Sequence, residues 1–417
     1  MRSVLDEVPG RVDPCGPREV TKLAELSLGV STVRKDRERE AAFRLRAGCG
    51  IRLTRRHGRI MPVARLGSSV PPGDVAARTL ALVDIHSPSR QEREIADYVE
   101  REMPWHPTWR DGETLWYSTA VGDEPLVVLA GHLDTVPANG NFPGRRTESV
   151  VAGLGASDMK GGVAVMIELA RALADRGAAG DLAAGFLFFP REEISVEESP
   201  LPEFFATGAL GRTALVIVLE PTDNELQVGC VGNLNARLRF TGRSAHTARP
   251  WLGDNAIDRA LEGLAPLKGL PPHDVSVGGL PFREVLSITR IAGGRADNVV
   301  PDVVEATVNF RYAPDRSRPD AEARLRELAG GDIEILSHSP AASVAIDNPL
   351  VQRLRAIGGF DVTPKQAWTP VAQFAEVGLD AINFGPGATR FAHAPDEQVE
   401  VEALERSLDA FRSFFRA

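Results

Sequence analysis

The chain is poor in cysteine and in long apolar runs and has no excess of positive charge, and each lack removes a class of function. Only Cys15, Cys49 and Cys230 occur in 417 residues, far apart from one another. They form neither a CxxC zinc motif nor an even-numbered disulfide framework, so a reducing cytoplasm is the expected compartment. No stretch approaches the roughly eighteen uninterrupted apolar residues of a membrane span. The N-terminus also lacks the continuous hydrophobic core of a signal peptide, so neither a span nor export is predicted. A net charge of -9 gives no field that would attract nucleic-acid phosphates or an anionic membrane, which favours small-molecule chemistry. Ser244 and His246 lack a G-x-S-x-G elbow around the serine, which sets aside a serine hydrolase. There is no internal repeat.

What is present is enough apolar content, 43%, to bury one large core or two smaller ones. Residues 1–70 are Arg-rich and poorly periodic, through RKDRERE and RLTRRHGR, and are predicted to be a disordered or loosely structured extension. A basic nucleic-acid arm fits them less well, because the positive charges alternate with Asp and Glu. From Val75 onward, apolar strands alternate with amphipathic helices. PLVVLAGHLDTVP reads as a buried strand, Leu126 to Ala130, that releases His132 and Asp134 into a loop. Val163, Met166, Ile167, Ala170 and Leu173 recur at helical spacing, which starts a helix just beyond Asp158. AAGFLFFPREE and ALVIVLEPT are further apolar runs that end in carboxylates. In open α/β sheets, sites gather at the carboxyl ends of strands, so these acids and His132 can converge.

Residues 227–338 have a different rhythm. LNARLRF and VEATVNFRY alternate apolar and polar positions, as strands with one buried face do. With helices near Asn255–Leu264 and after Pro319, and strands near Leu286–Ile291 and Ile333, the order βαββαβ predicts an inserted ferredoxin-like module. Leu404, Leu408, Phe411, Phe414 and Phe415 have the spacing of a closing amphipathic helix. The expected fold is therefore α/β. A mixed-sheet domain (75–226 plus 339–417) carries an inserted ferredoxin-like α+β domain (227–338).

Each candidate site residue also has a plain reading. His132 can be a ligand whose other ring nitrogen is fixed by Asp134, yet HLD alone fits a core histidine beside a turn aspartate. Asp158 lies among Gly153, Gly155, Gly161 and Gly162, where backbone can bend around a small ligand, but it can equally cap a helix. Glu192 and Glu193 repel each other unless one meets a cation, or they form a solvated turn. Glu220 ends an apolar strand as a ligand or a turn acid, and His393 in FAHAPDE is a loop histidine.

In order and spacing, GHLDTVP, GASDMKGG, the Glu192–Glu193 pair, LEPT and AHAPDE resemble the aminoacylase, carboxypeptidase and succinyl-diaminopimelate desuccinylase family of cocatalytic zinc hydrolases. The likeness runs from about residue 76 to the C-terminus. It implies that Asp158 bridges two cations, with His132 and Glu220 completing one site and Glu193 and His393 the other. It also makes Glu192 the general base that activates a water for attack on an amide carbon. Five N and O donors suit zinc, and cobalt or manganese also fit such a set. His246, in GRSAHTARP, matches a histidine that helps hold the oxyanion and comes from the partner subunit of a homodimer. Asn298 and Arg311, in ADNVVPD and NFRY, match substrate-binding positions, where a guanidinium can grip a carboxylate through two N–H groups.

GHLDTVPANGN, ARPWLGDNAI, RIAGG and AINFGPG look like the actinobacterial desuccinylases of this family. The expected reaction is thus hydrolysis of N-succinyl-diaminopimelate, a small-molecule N-acyl amino acid, on the route to lysine and the cell wall. One departure favours another acyl amino acid, such as N-acetylornithine: where that group reads T-D-V-x-R-F, this chain has Thr369, Pro370, Val371, Ala372, Gln373 and Phe374. A binding or regulatory protein that has lost catalysis is the reading from another class. It gives no reason to keep Glu192 together with a full ligand set.

Overall fold

The computed structural model of the protein describes residues 70–177 and 180–416, all within the unit Met61–Ala417. The expectation of a disordered extension over 1–70 falls almost wholly outside the described residues. In chain order the strands are β1 (Trp109–Asp111), β2 (Thr114–Ser118), β3 (Leu126–His132), β4 (Arg145–Arg146), β5 (Val150–Ala152), β6 (Ala183–Phe189), β7 (Thr213–Val218) and β8 (Leu226–Cys230). They continue with β9 (Gly232–Thr241), β10 (His273–Val277), β11 (Leu280–Gly293), β12 (Val303–Tyr312), β13 (Asp332–Ser339), β14 (Val362–Lys365), β15 (Ala381–Asn383) and β16 (Gln398–Glu400).

An eight-stranded mixed sheet has the order β1-β2-β6-β3-β7-β15-β8-β14. Its centre, β6-β3-β7, is parallel, and every residue of β3 and β6 is buried. That is why these segments read as continuous apolar runs: a parallel strand is covered on both faces. Helices Val75–Val83, Gly161–Arg176 and Val401–Phe415 cover one face, and the short helices Leu201–Ala206 and Val371–Glu376 pack on the other. Leu404, Leu408, Phe411, Phe414 and Phe415 form the buried stripe of the last helix, as their spacing predicts. Truncating the fully buried Phe411 to alanine should cost about 3–5 kcal/mol. At Gly162 helix and strand exit touch: a Cβ there would lie 2.6 Å from the Leu219 carbonyl oxygen, so only glycine lets helix Gly161–Arg176 start this close to β7.

A second, five-stranded antiparallel sheet has the order β10-β11-β12-β9-β13 and carries helices Ala256–Leu264 and Arg318–Leu328 over its own core. Four of its strands reproduce the ferredoxin-like order. The fifth, β10, is an addition to the expected βαββαβ pattern. Its cause is local: Gly278 and Gly279, both at positive φ, close a two-residue hairpin that pairs Val277 with Leu280. A third sheet, β16-β5-β4, lies near the site loops. No helix among the described residues is long and apolar enough to cross a membrane.

Candidate metal centre

Because β6, β3 and β7 are parallel neighbours, their carboxyl ends finish at one edge. His132 is the last residue of β3, Glu192 and Glu193 follow β6, and Glu220 lies two residues beyond β7. Asp158 reaches the same place from the kinked turn Ala156–Lys160 ahead of helix Gly161–Arg176, and its peptide bond to Met159 is cis. His393 arrives from the loop before β16.

The distances are short. His132 Nε2 lies 3.1 Å from Asp158 Oδ1 and 3.9 Å from Glu220 Oε1. On the other side of Asp158, His393 Nε2 lies 3.6 Å from its Oδ2 and 2.9 Å from Glu193 Oε2. Ligand atoms of His132, Asp158 and Glu193 all fall within 4.8 Å of one another, close enough to share one ion. Asp158 thus stands between a His132–Glu220 side and a Glu193–His393 side.

The hydrogen bonding of His132 fixes what its free nitrogen is for. Nδ1 meets the Asp134 carbonyl oxygen at 3.0 Å, and an oxygen acceptor there requires the proton to be on Nδ1. In the neutral ring Nε2 is then a lone pair aimed at a carboxylate oxygen. Two lone pairs at that range repel unless a proton or a metal cation lies between them. The Asp134 carboxylate, expected to orient the ring, lies farther away, with Oδ1 3.6 Å from Nδ1. It instead accepts the backbone N–H groups of Glu192 (2.9 Å) and Glu193 (3.0 Å) and the Ser89 hydroxyl (2.7 Å).

Charge crowding points the same way. Burial alone would lower the His132 pKa, but the bond to Asp158 and the charges of Glu192 and Glu220 outweigh it and hold the imidazole well above its ordinary range. Burial, then the Glu220 charge, pushes Glu192 well up; burial and Asp158 push Glu220 to about 7. The bond to Glu193 lifts His393 to about 9. Glu220 Oε1 is buried and has no hydrogen-bond partner among the described residues. An orphaned carboxylate oxygen, an imidazole lone pair facing acids and an all-N,O donor set fit divalent cations.

Asp158, Glu193, Glu220 and His393 line a cavity of about 460 Å³ whose opposite wall belongs to the second sheet: Asn233, Asn235, Arg311, Ser337 and Ser339. Cross-strand pairing sets Arg311, Asn233 and Ser339 in one row. Arg311 donates from Nε to Asn309 Oδ1 at 3.1 Å, and no carboxylate among the described residues pairs with it. Lys365, 4% exposed, also lines the cavity and donates to the Pro221 carbonyl at 3.1 Å. Glu192 lines it too, beside Asp158 and Glu193.

His246 and Asn298 are not brought to this cluster within the chain. Both are exposed and line no part of the cavity, but they neighbour each other: His246 bridges to Val299, and the Thr247 N–H donates to the Asn298 carbonyl at 3.1 Å. Sequence reasoning missed Ser89, Lys365 and Glu397, whose contacts with the site are visible only in three dimensions. Thr369 faces the cavity, whereas Pro370 and Gln373 do not line it; Gln373 is buried, and its Oε1 accepts from the Ser199 hydroxyl at 3.4 Å.

The profile of Peptidase family M20/M25/M40 matches residues 128–417. The chain belongs to this family. It is 38% identical over 350 residues to a Mycobacterium tuberculosis protein provisionally assigned as the succinyl-diaminopimelate desuccinylase DapE, covering 82% of this chain and 98% of that protein. It is 32% identical over 361 residues to the succinyl-diaminopimelate desuccinylase of Corynebacterium glutamicum, covering 80% and 93%. Solved structures share the fold at low identity. Aminopeptidase PepT from Bacillus cereus aligns with a TM-score of 0.66 at 19% identity, over 83% of this chain and 98% of that one. The M20 metallo-carboxypeptidase Sso-CP2 from Sulfolobus solfataricus aligns at 0.63 and 16%, over 82% and 98%. As an M20 protein, the chain is a metal-dependent hydrolase.

Proposed function

We propose that this M20 enzyme hydrolyses the amide bond of an N-acyl amino acid, with N-succinyl-diaminopimelate as substrate and succinate and diaminopimelate as products. The observation that carries this reading is the convergence of His132, Asp158 and Glu193 beside Glu192, across one cavity from a guanidinium that has no acidic partner. Asp158 would be shared by two cations, His132 and Glu220 would complete one site, and Glu193 and His393 the other. Zinc is the favoured metal, since imidazole and carboxylate donors suit it, and cobalt or manganese are accepted by the same set. Bound there, the cations would acidify a water and polarise the amide carbonyl.

The residues divide the remaining work. Glu192, whose pKa burial raises, takes the proton of the attacking water and delivers it to the leaving amine as the C–N bond breaks, so the proton balance closes on one side chain. Asp134 holds the backbone that carries Glu192. Arg311 receives a substrate carboxylate in the bidentate manner of a guanidinium. Gln373, in place of an arginine, is turned towards Ser199 and leaves Arg311 to perform this task; the desuccinylase reading over N-acetylornithine is supported by the likeness to the mycobacterial and corynebacterial proteins.

The second sheet and its helices would form the lid and dimerisation domain, and a homodimer would bring His246 and Asn298 to the partner's cavity. The reading is supported by the exposure of Trp251 (73%), Leu261 (62%) and Ile291 (56%) on this part of the chain. It is tested with purified full-length protein loaded with zinc and given N-succinyl-diaminopimelate, N-acetylornithine and N-acyl-glutamate substrates. Fastest release of succinate is expected; a higher kcat/KM for N-acetylornithine overturns the substrate assignment.

A further inference from the structure

Glu397 is 2% exposed and stands four residues beyond His393, on the segment leading into β16. Its carboxylate bonds to no ligating side chain of the cluster. Instead Oε1 accepts the backbone N–H groups of Ser157 (3.1 Å) and Asp158 (3.0 Å), and Oε2 accepts that of Gly155 (2.9 Å). Its backbone carbonyl takes a fourth N–H, from Gly153, at 2.9 Å. Asn141 adds a second tie between the same two segments: its side chain donates to the Ala394 carbonyl at 3.2 Å, and its own carbonyl accepts the Leu154 N–H at 2.8 Å.

We infer that Glu397 is a positioning residue, which fastens the Asp158 loop to the His393 loop and thereby sets the cation affinity of the centre. The inference rests on the proposed ligand roles of Asp158 and His393. The two loops come from distant parts of the chain; β5 pairs with β16 beside them, and the Glu397 bonds carry that connection on to Asp158 itself. Three N–H groups converging on the two oxygens of one side chain form a clamp between the loops. Gly155, at φ 78°, supplies the left-handed turn that lets its own N–H join the other two. Only a carboxylate meets all three donors, because a carboxamide presents one oxygen and turns an NH₂ group towards the remaining N–H. The expectation is that partners holding ligands in place change metal affinity about 10–100-fold when removed.

The test is calorimetric titration of zinc into metal-free protein, comparing wild type with Glu397→Gln, Glu397→Asp and Asp158→Asn, each first checked for native circular dichroism. Glu397→Gln is expected to raise the zinc Kd about 10–100-fold, and Glu397→Asp, which keeps the charge but withdraws it, by less. With metal restored to saturation, Glu397→Gln should recover most of kcat with KM unchanged. Wild-type zinc affinity in folded Glu397→Gln overturns the inference, and so does a variant that loses only thermal stability while its folded fraction binds zinc normally. Should the glutamine variant fail to fold, wild-type affinity in Glu397→Asp overturns it. Undiminished affinity in Asp158→Asn would sink the ligand assignment itself; a weakened Asp158→Asn beside an unaffected Glu397→Gln would sink the clamp alone.

Discussion

Asp134 Oδ1 accepts the backbone N–H of Glu192 at 2.9 Å, so the carboxylate two residues beyond β3 holds the residue proposed as general base. Its other oxygen holds the next N–H along, that of Glu193. Asp134→Ala strands both groups in a buried setting, where each unmet donor costs about 1–3 kcal/mol. Urea unfolding of the metal-free variant should show a loss of that order, with kcat reduced as well; unchanged stability would contradict the bonding described.

Replacing Glu192 by glutamine keeps its size and removes its basicity. General-base catalysis is worth about 10²–10⁴-fold, so kcat should fall by that factor. Zinc stoichiometry should stay at the wild-type value, since Glu192 is assigned no cation. Equal turnover by wild type and variant would eliminate the mechanism.

Arg311 is half-buried without an acidic partner, and burial accordingly lowers its pKa. A charged hydrogen bond to substrate contributes about 1.5–3 kcal/mol, so Arg311→Ala should lower kcat/KM about 10–100-fold. Arg311→Lys should recover only part of this, because an ammonium cannot make the two parallel bonds. A full recovery by lysine in steady-state kinetics would argue against bidentate capture.

Glu284 offers a pH test remote from the centre. Burial would raise its pKa, but the Arg316 hydrogen bonds, at 2.6 and 3.0 Å, and the Ala313 N–H outweigh this and bring it below the ordinary 4.5. A folded-state pKa below the unfolded one means the native state binds fewer protons. The stabilisation is therefore complete above about pH 4.5 and disappears as pH falls through the depressed value. Glu284→Gln should be less stable than wild type at pH 7, by roughly 1–3 kcal/mol. The gap in urea midpoints should close on acidification; a gap that widens would reverse the sign argued here.

Much of the centre was legible because each donor follows a buried strand or a glycine-rich turn, and strand ends gather at one edge of a parallel sheet. His132, Glu193 and Glu220 carry that signal in the apolar runs before them. Ser89, Lys365 and Glu397 do not, since their contacts cross 45, 144 and up to 242 positions and no local pattern encodes a partner at that range. The added strand β10 was encoded by Gly278–Gly279 between alternating segments, a signal the βαββαβ reading passed over. Asp134 shows a different limit: its spacing from His132 suggested a side-chain contact with the ring, yet its carbonyl took that place and its carboxylate turned to the neighbouring strand exit.

The paired crossings between the two sheets have a mechanical consequence. The chain leaves the first sheet at Cys230 and returns to it at Ala342, and these two residues hydrogen-bond to each other in both directions, at 3.4 and 3.1 Å. Both passages thus run side by side. Tilting about them would widen or narrow the gap between Arg311 and Asp158, while His132, Asp158, Glu193 and Glu220, all anchored on the same side, keep their mutual spacing. Such a tilt would change the room for a longer or shorter substrate without retuning the spacing of the carboxylates.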